Sequence, residues 1–317
     1  MSSYILPFDF AFLTVLILVP ILSRVAFKLN FVDLPNIRKT HKGPVPLLGG
    51  LAIYLGYMIT MFLCVDDSRL KTAIIISSTL IVSIGLIDDY YKSKKKDFSS
   101  LPKIIIQIIV AVILYSFGIK ITGISSIFDG GMIFFSAEIS LVVTLIWVVS
   151  LMNMINFLDG ADGLAGGIAI ISSMTLFLIS YVKGLDVISL LSIILMGTTI
   201  GFLLYNFYPA RIYMGDTGSV FLGLMLAIIS IEGALKSATL LSIMMVIFVF
   251  GVPIFDTIIV FFNRWKNHKP LYTADRTHVH HRLLKKGYSI KQTVGLIYIV
   301  SLIFSVVSIG ILVWIMF

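Results

Sequence analysis

About ten long apolar runs dominate the chain, near 5–27, 46–64, 71–87, 103–119, 138–155, 165–182, 187–205, 218–233, 238–262 and 293–316. A helix needs roughly 20 apolar residues to cross the hydrocarbon of a bilayer. Several runs are rich in Ile and Val and would read as strands in a soluble protein. In lipid, however, every backbone N–H and C=O must be satisfied within its own segment or in a closed barrel. The runs do not alternate apolar with polar residues, so a barrel fails and each run reads as a helix. The expected fold is all-α: one polytopic membrane domain over 1–317. With 13% charged residues and a mean hydropathy of +1.05, the chain has too few charges to coat a soluble globule, which uses about 25%.

Charge sets the expected orientation. No basic residue precedes the first run, while Arg24 and Lys28 follow it. This order predicts a retained span with the N-terminus outside. On that frame nineteen lysines and arginines fall on inside segments and five outside. The net charge of +8 follows from this bias and draws anionic lipids and anionic substrates to the cytoplasmic face. The single Cys64 excludes an intrachain disulfide. The stretch near 118–138, with Phe128-Asp129-Gly130-Gly131, reads as a turn.

The inside segments hold all five histidines and half of the sixteen acids. Asp88-Asp89 stands at the end of the third run. Carboxylates at a membrane helix C-terminus oppose both the bilayer and the helix dipole. Either the helix end reaches water beside Lys94, Lys95 and Lys96, or a cation offsets the charge. The stretch 153–167 joins two apolar runs through Asn153, Asn156, Asp159, Asp162 and four glycines. If partly helical, the three-residue spacing of Asn156, Asp159 and Asp162 puts them on one side. In 206–219, Asp216 or Thr217 is placed to cap the next helix, and its first N–H groups would then point at an anion. Tyr213 could stack on a base.

The longest inside loop carries Asp275-Arg276-Thr277-His278-Val279-His280-His281-Arg282. Zinc usually takes four ligands from Cys or spaced His, and this cluster has neither Cys nor an i,i+4 histidine pair. Flanked by arginines, it suits a pyrophosphate. The first inside loop, with Arg38, Lys39, His41 and three prolines, suits a rim for an anionic ligand. The chain has no P-loop, nucleophile motif or Rossmann signature. Clustered acids suit Mg²⁺, an oxygen-seeking ion that shares its ligands with phosphates.

These five motifs, running along the chain from the 33–50 loop through Asp88-Asp89, 153–167 and 206–219 to 275–282, resemble the polyprenyl-phosphate N-acetylhexosamine-1-phosphate transferases, glycosyltransferase family 4, over nearly the whole chain. The His-Val-His-His-Arg cluster is similar to the branch that transfers GlcNAc-1-phosphate to undecaprenyl phosphate. The relative that transfers phospho-MurNAc-pentapeptide usually has three consecutive histidines, whereas here Val279 intervenes. The resemblance implies a multi-pass enzyme of the bacterial cytoplasmic membrane with its active-site loops inside. It would start a cell-envelope polysaccharide or teichoic acid.

The resemblance further implies Mg²⁺, with Mn²⁺ as a substitute, held by Asp216, Asp88 and Asp89. The substrates would be a UDP-sugar and undecaprenyl phosphate, amid membrane lipid, with no nucleic acid and with a homodimer compatible. Asp88, Asp89, Asp159 and Asp162 are the candidate catalytic acids. Asn156 and Tyr213, with Asp159 and Asp162, would hold the uridine side, and His278, His280, His281 and Arg282 the diphosphate or sugar. Arg38, Lys39 and His41 would neutralise phosphate. A general base is dispensable, because a phosphate monoester is already mostly dianionic at neutral pH, its second pKa being about 6; if one acts, it is Asp88. A rival reading is a transporter of divalent cations or lipid phosphates. The sequence does not distinguish one N-acetyl sugar from another.

Overall fold

The computed structural model describes residues 2–34, 43–125, 132–235, 240–266 and 277–316. Arg38, Lys39, His41, Asp275 and Arg276 lie outside them. Twelve helices are described: α1 (Ser2–Lys28), α2 (Gly49–Cys64), α3 (Ser68–Ser93), α4 (Ser100–Ser116), α5 (Ala137–Leu158), α6 (Leu164–Val182), α7 (Asp186–Asn206), α8 (Gly215–Ser230), α9 (Leu240–Val249), α10 (Gly251–Lys266), α11 (Val279–Lys285) and α12 (Ile290–Met316). All ten apolar runs coincide with helices. Seven spans are long and apolar enough to cross a membrane, or eight if the bent pair α9–α10 counts as one. The protein is therefore a polytopic helical membrane protein. At 16 and 17 residues, α2 and α4 are shorter. The 16 residues of α2 rise about 24 Å, against a hydrocarbon core of about 30 Å.

The structure corrects two expectations, the single helix over 238–262 and the shared helix face of Asn156, Asp159 and Asp162. The run 238–262 is not one helix, because α10 turns 80° away from α9. The all-α architecture also carries two small antiparallel ribbons, β1 (Val32–Asp33) with β2 (Val45–Pro46) and β3 (Gly123–Ser125) with β4 (Met132–Phe134). The second ribbon flanks Phe128-Asp129-Gly130-Gly131, the expected turn, which lies outside the described residues. Asn156, Asp159 and Asp162 do not share a helix face. The α5 helix stops at Leu158, and Gly163 with φ +80° precedes α6. That left-handed backbone suits glycine and closes the turn that carries Asp159 and Asp162.

The α8 helix forms the axis of the bundle, packed against α2, α3, α5 and α6. Every residue from Asp216 to Ser230 is buried. Small residues allow the close approach. A Cβ on Gly50 of α2 would overlap the Gly218 nitrogen and the Met214 carbonyl. One on Gly85 of α3 would lie 2.6 Å from Thr217 Cα, and one on Gly223 of α8 would lie 2.6 Å from Met152 Cα. Peripheral helices instead expose large apolar side chains, such as Leu6 and Ile17 on α1 and Val306 and Trp314 on α12. Such faces would be a liability in water and are natural against lipid.

Candidate active site

One end of the bundle gathers the acids. The α3 helix continues past Asp88 and Asp89 to Ser93, so neither acid sits at a frayed helix end in water. They are 2% and 0% exposed, and Asp216 at the start of α8 is 8% exposed. Oxygen atoms of all three lie within 4.8 Å of one another. Two ammonium groups share this space. Lys92 Nζ is 2.5 Å from Asp216, 2.9 Å from Asp88 and 3.9 Å from Asp89. Lys103 Nζ, from the first turn of α4, is 2.9 Å from Asp216 and 3.4 Å from Asp88. Asn156 Nδ2 donates to Asp216 at 3.1 Å and to Ser219 Oγ at 2.8 Å. Sequence reasoning counted both lysines only as topogenic charge. The placement of Lys92 at i+4 from Asp88 and i+3 from Asp89 was a usable signal. Nothing local marks Lys103, which reaches the cluster through the packing of α4 on α3.

The N-terminus of α8 is arranged differently from the expectation. Neither Asp216 nor Thr217 caps the helix, and the N-cap position is Met214, whose side chain makes no capping bond. Asp89 of α3 caps it from outside. Its carboxylate accepts from Asp216 N at 2.9 Å, from Thr217 N at 3.0 Å and from Thr217 Oγ1 at 2.6 Å. The helix N–H groups expected to face a bound anion are thus turned to Asp89, which places negative charge at the positive end of the dipole. Gly215 takes φ +63° there, and a Cβ on it would overlap the Asp89 carboxylate.

The three carboxylates suit a hard divalent cation. They offer only oxygen, the donor Mg²⁺ prefers. The buried Oδ2 of Asp88 has Lys92 Nζ at 2.9 Å as an ion partner but, among the described residues, no donor placed to hydrogen-bond to it. Three carboxylates against two ammoniums also leave an uncompensated negative charge. The residues therefore fit the ion that the resemblance implies.

The loops 159–163 and 206–214 are laced together beside this cluster. Asp162 accepts from Ala210 N at 2.9 Å. Buried Asn206 accepts from Gly163 N at 3.0 Å and donates to Ile212 O at 2.8 Å. Tyr298 of α12 donates to Gly163 O at 2.5 Å. Tyr213 N bonds Pro46 O at 2.8 Å, which ties the described end of the first loop to the same surface. The Tyr213 phenol is pushed upward by burial and by Asp162, Asp33 and Asp159, so it keeps its proton. The Asp159 carboxyl is also raised, by desolvation first and then by the charge of Asp216. Asn206 and Tyr298 were not among the expected site residues.

The histidine cluster docks on the same turn. His278 stacks near Phe157 with ring centroids 5.2 Å apart, and a Cβ on Gly160 would overlap the His280 ring. His280 is 1% exposed, and neither ring nitrogen has a hydrogen-bond partner among the described residues. It is therefore poorly suited to the expected grip on a diphosphate, while Arg282 remains 39% exposed. Desolvation, then His281 and His278, lower the pKa of His280 to about 3, against a small opposing effect of Asp256. An unfolded histidine titrates near about 6.5. Between these values the unfolded chain binds a proton that the folded chain excludes, so the contribution of His280 is complete above about pH 6.5 and declines as pH falls toward 3. The apparent unfolding temperature in detergent should accordingly fall from about pH 7 to about pH 5, and His280→Gln should flatten that slope. Identical slopes in the two proteins would show that His280 is not a buried neutral ring.

A carboxylate–lysine cluster at one end of a membrane-embedded bundle, beside histidine and arginine, defines a site for phosphorylated substrates at a bilayer surface. Residues 71–234 match the family described as glycosyl transferase family 4, and the chain belongs to that family. It is 38% identical over 310 residues to the probable undecaprenyl-phosphate N-acetylglucosaminyl 1-phosphate transferase of Bacillus subtilis, covering 98% of this chain and 85% of that protein. It is 33% identical to the decaprenyl-phosphate N-acetylglucosaminephosphotransferase of Mycobacterium tuberculosis, covering 86% and 74%. It is 28% identical to the undecaprenyl-phosphate alpha-N-acetylglucosaminyl 1-phosphate transferase of Escherichia coli K12, covering 91% and 78%.

Proposed function

We propose that the protein transfers GlcNAc-1-phosphate from UDP-GlcNAc to undecaprenyl phosphate, releasing UMP, at the cytoplasmic face of a bacterial membrane. The observation that carries this reading is the buried cluster of Asp88, Asp89 and Asp216 with Lys92 and Lys103, in a chain whose relatives bear that activity in their names. The proposed topology has ten passes with the N-terminus outside, supported by the charge bias of the segments between the runs.

In the proposed reaction an oxygen of the lipid phosphate attacks the β-phosphorus of the UDP-sugar. The bond from that phosphorus to the bridging oxygen breaks, and UMP leaves with the electron pair. Asp216 and Asp88, with Asp89 behind them, would hold Mg²⁺, which when bound supplies charge neutralisation on the diphosphate. Lys92 and Lys103 lie among the carboxylates and are long enough to turn their ammonium groups to phosphate oxygens. Tyr213, Asp159, Asp162 and Asn156 would form the uridine side, and the His278–Arg282 segment the sugar-diphosphate side. Val279 between His278 and His280 disfavours phospho-MurNAc-pentapeptide as the transferred group.

The test is turnover of the purified protein in detergent with undecaprenyl phosphate, Mg²⁺ and a panel of UDP-sugars, following UMP. Release from UDP-GlcNAc alone, lost on chelation, is the expected result. Release from a different UDP-N-acetyl sugar would keep the chemistry and change the substrate. No release from any of them by folded protein would sink the enzyme reading and favour transport.

A further inference from the structure

Asp256 belongs to none of the sequence motifs above. It lies within the run 238–262, on α10 just beyond the 80° break, and is 4% exposed. Its carboxylate is fully engaged. Oδ2 is 2.8 Å from His278 Nδ1. Oδ1 accepts from Val279 N at 2.7 Å and lies 3.4 Å from an Arg282 guanidinium nitrogen. One buried acid therefore holds the start of α11 and two of the side chains expected to face substrate.

A carboxylate on Nδ1 fixes a histidine in two ways. It keeps the Nδ1 proton in place, which leaves Nε2 as the nitrogen available to a ligand, and it locks the ring's rotation. Here Phe157 packs near the same ring at 5.2 Å, and the His280 ring lies nearly parallel to it at 6.2 Å. A carboxylate in an apolar run is also costly unless paired, and the pairing found is with this cluster.

We infer that Asp256 is a positioning residue for the transfer reaction: by holding His278 and Arg282 as one unit, it aims them at the sugar-diphosphate without touching substrate itself. This rests on the transferase reading. Asp256→Asn keeps the size of the side chain and one acceptor for Val279 N–H. It presents an amide N–H₂ or an uncharged oxygen to His278, which releases the tautomer.

The experiment is a double-mutant cycle on UMP release from UDP-GlcNAc, with thermal unfolding measured on each protein. Asp256→Asn is expected to lower kcat by about 10–100-fold, with KM for UDP-GlcNAc changed less than about threefold. In a His278→Ala background the same substitution is expected to cost at least about threefold less than in wild type, because its main partner is gone and only the longer contact to Arg282 at 3.4 Å remains to be lost. A single variant within about twofold of wild type, or losses that multiply in the double variant, overturns the inference. If Asp256→Asn does not fold, Asp256→Ser, which is smaller and can still accept from Val279 N–H, takes its place in the cycle. Failure of both to fold, while His278→Ala folds, assigns Asp256 to structure alone and also overturns it. A wild type that releases no UMP takes down the transferase reading with this inference. The inference alone falls when wild type turns over and the cycle behaves as just described.

Discussion

Asp216→Asn should reduce UMP release by about 10²–10³-fold, the range seen when one preorganised electrostatic partner is removed, and should raise the Mg²⁺ concentration needed for half-maximal rate. Asp216 is the one acid contacted by Lys92, Lys103 and Asn156 at 2.5, 2.9 and 3.1 Å. An asparagine offers one acceptor in place of two and carries no charge. Its amide N–H₂ would also face an ammonium group with nothing to accept it. The fold should survive, because Lys92 and Lys103 keep Asp88 as a partner at 2.9 and 3.4 Å. Folded variant with an unchanged Mg²⁺ requirement would remove Asp216 from the metal site, even if turnover fell.

Asp89→Ala should behave otherwise, losing turnover and stability together. The Asp89 carboxylate accepts two backbone bonds and one hydroxyl bond from the first turn of α8. Its removal strands those donors in a buried site, at about 1–3 kcal/mol for each one left unpaired, and withdraws negative charge from the helix dipole. A total loss of about 3 kcal/mol or more is expected, read as a lower unfolding temperature in detergent. Asp89→Asn, which keeps one acceptor, should fall between wild type and alanine. The alternative is that Asp89 serves chiefly as a metal ligand. In that case Asp89→Asn would shift the Mg²⁺ titration as far as Asp216→Asn does and leave the unfolding temperature alone.

Much of this architecture was legible because lipid simplifies the reading: a run of apolar residues has to be helical, and nine of the ten runs each match one membrane helix or helical span, while 238–262 splits into α9 and α10. Polar residues were found because they stand out against that background. What escaped notice was whatever depended on neighbours distant in sequence. Hydropathy has no direction, so the run 238–262 hid a sharp turn, although Gly251 and Pro253 lie at it. It hid Asp256 as well, since one acid hardly lowers the mean of so apolar a stretch. Asp89 was grouped with Asp88 because they are adjacent, yet on a helix adjacent residues point about 100° apart. One faces the lysines and the other faces the end of α8. The expected helical face across Asn156, Asp159 and Asp162 failed for a local reason: α5 ends at Leu158, so Asp159 and Asp162 lie in the turn that follows it.

The complete burial of α8 has a consequence for how the protein is made. In the finished protein this helix meets other helices along its buried length rather than lipid, so lipid contact does not explain its apolar sequence. During synthesis, however, it must leave the translocation machinery before α9 to α12 exist, and a segment partitions into the bilayer according to its own hydrophobicity. The apolar character of α8 is then a requirement of insertion, inherited by a helix whose mature surroundings are protein. Polar substitutions along its buried face would therefore act twice, once on the yield of inserted chains and once on the packing of those that insert.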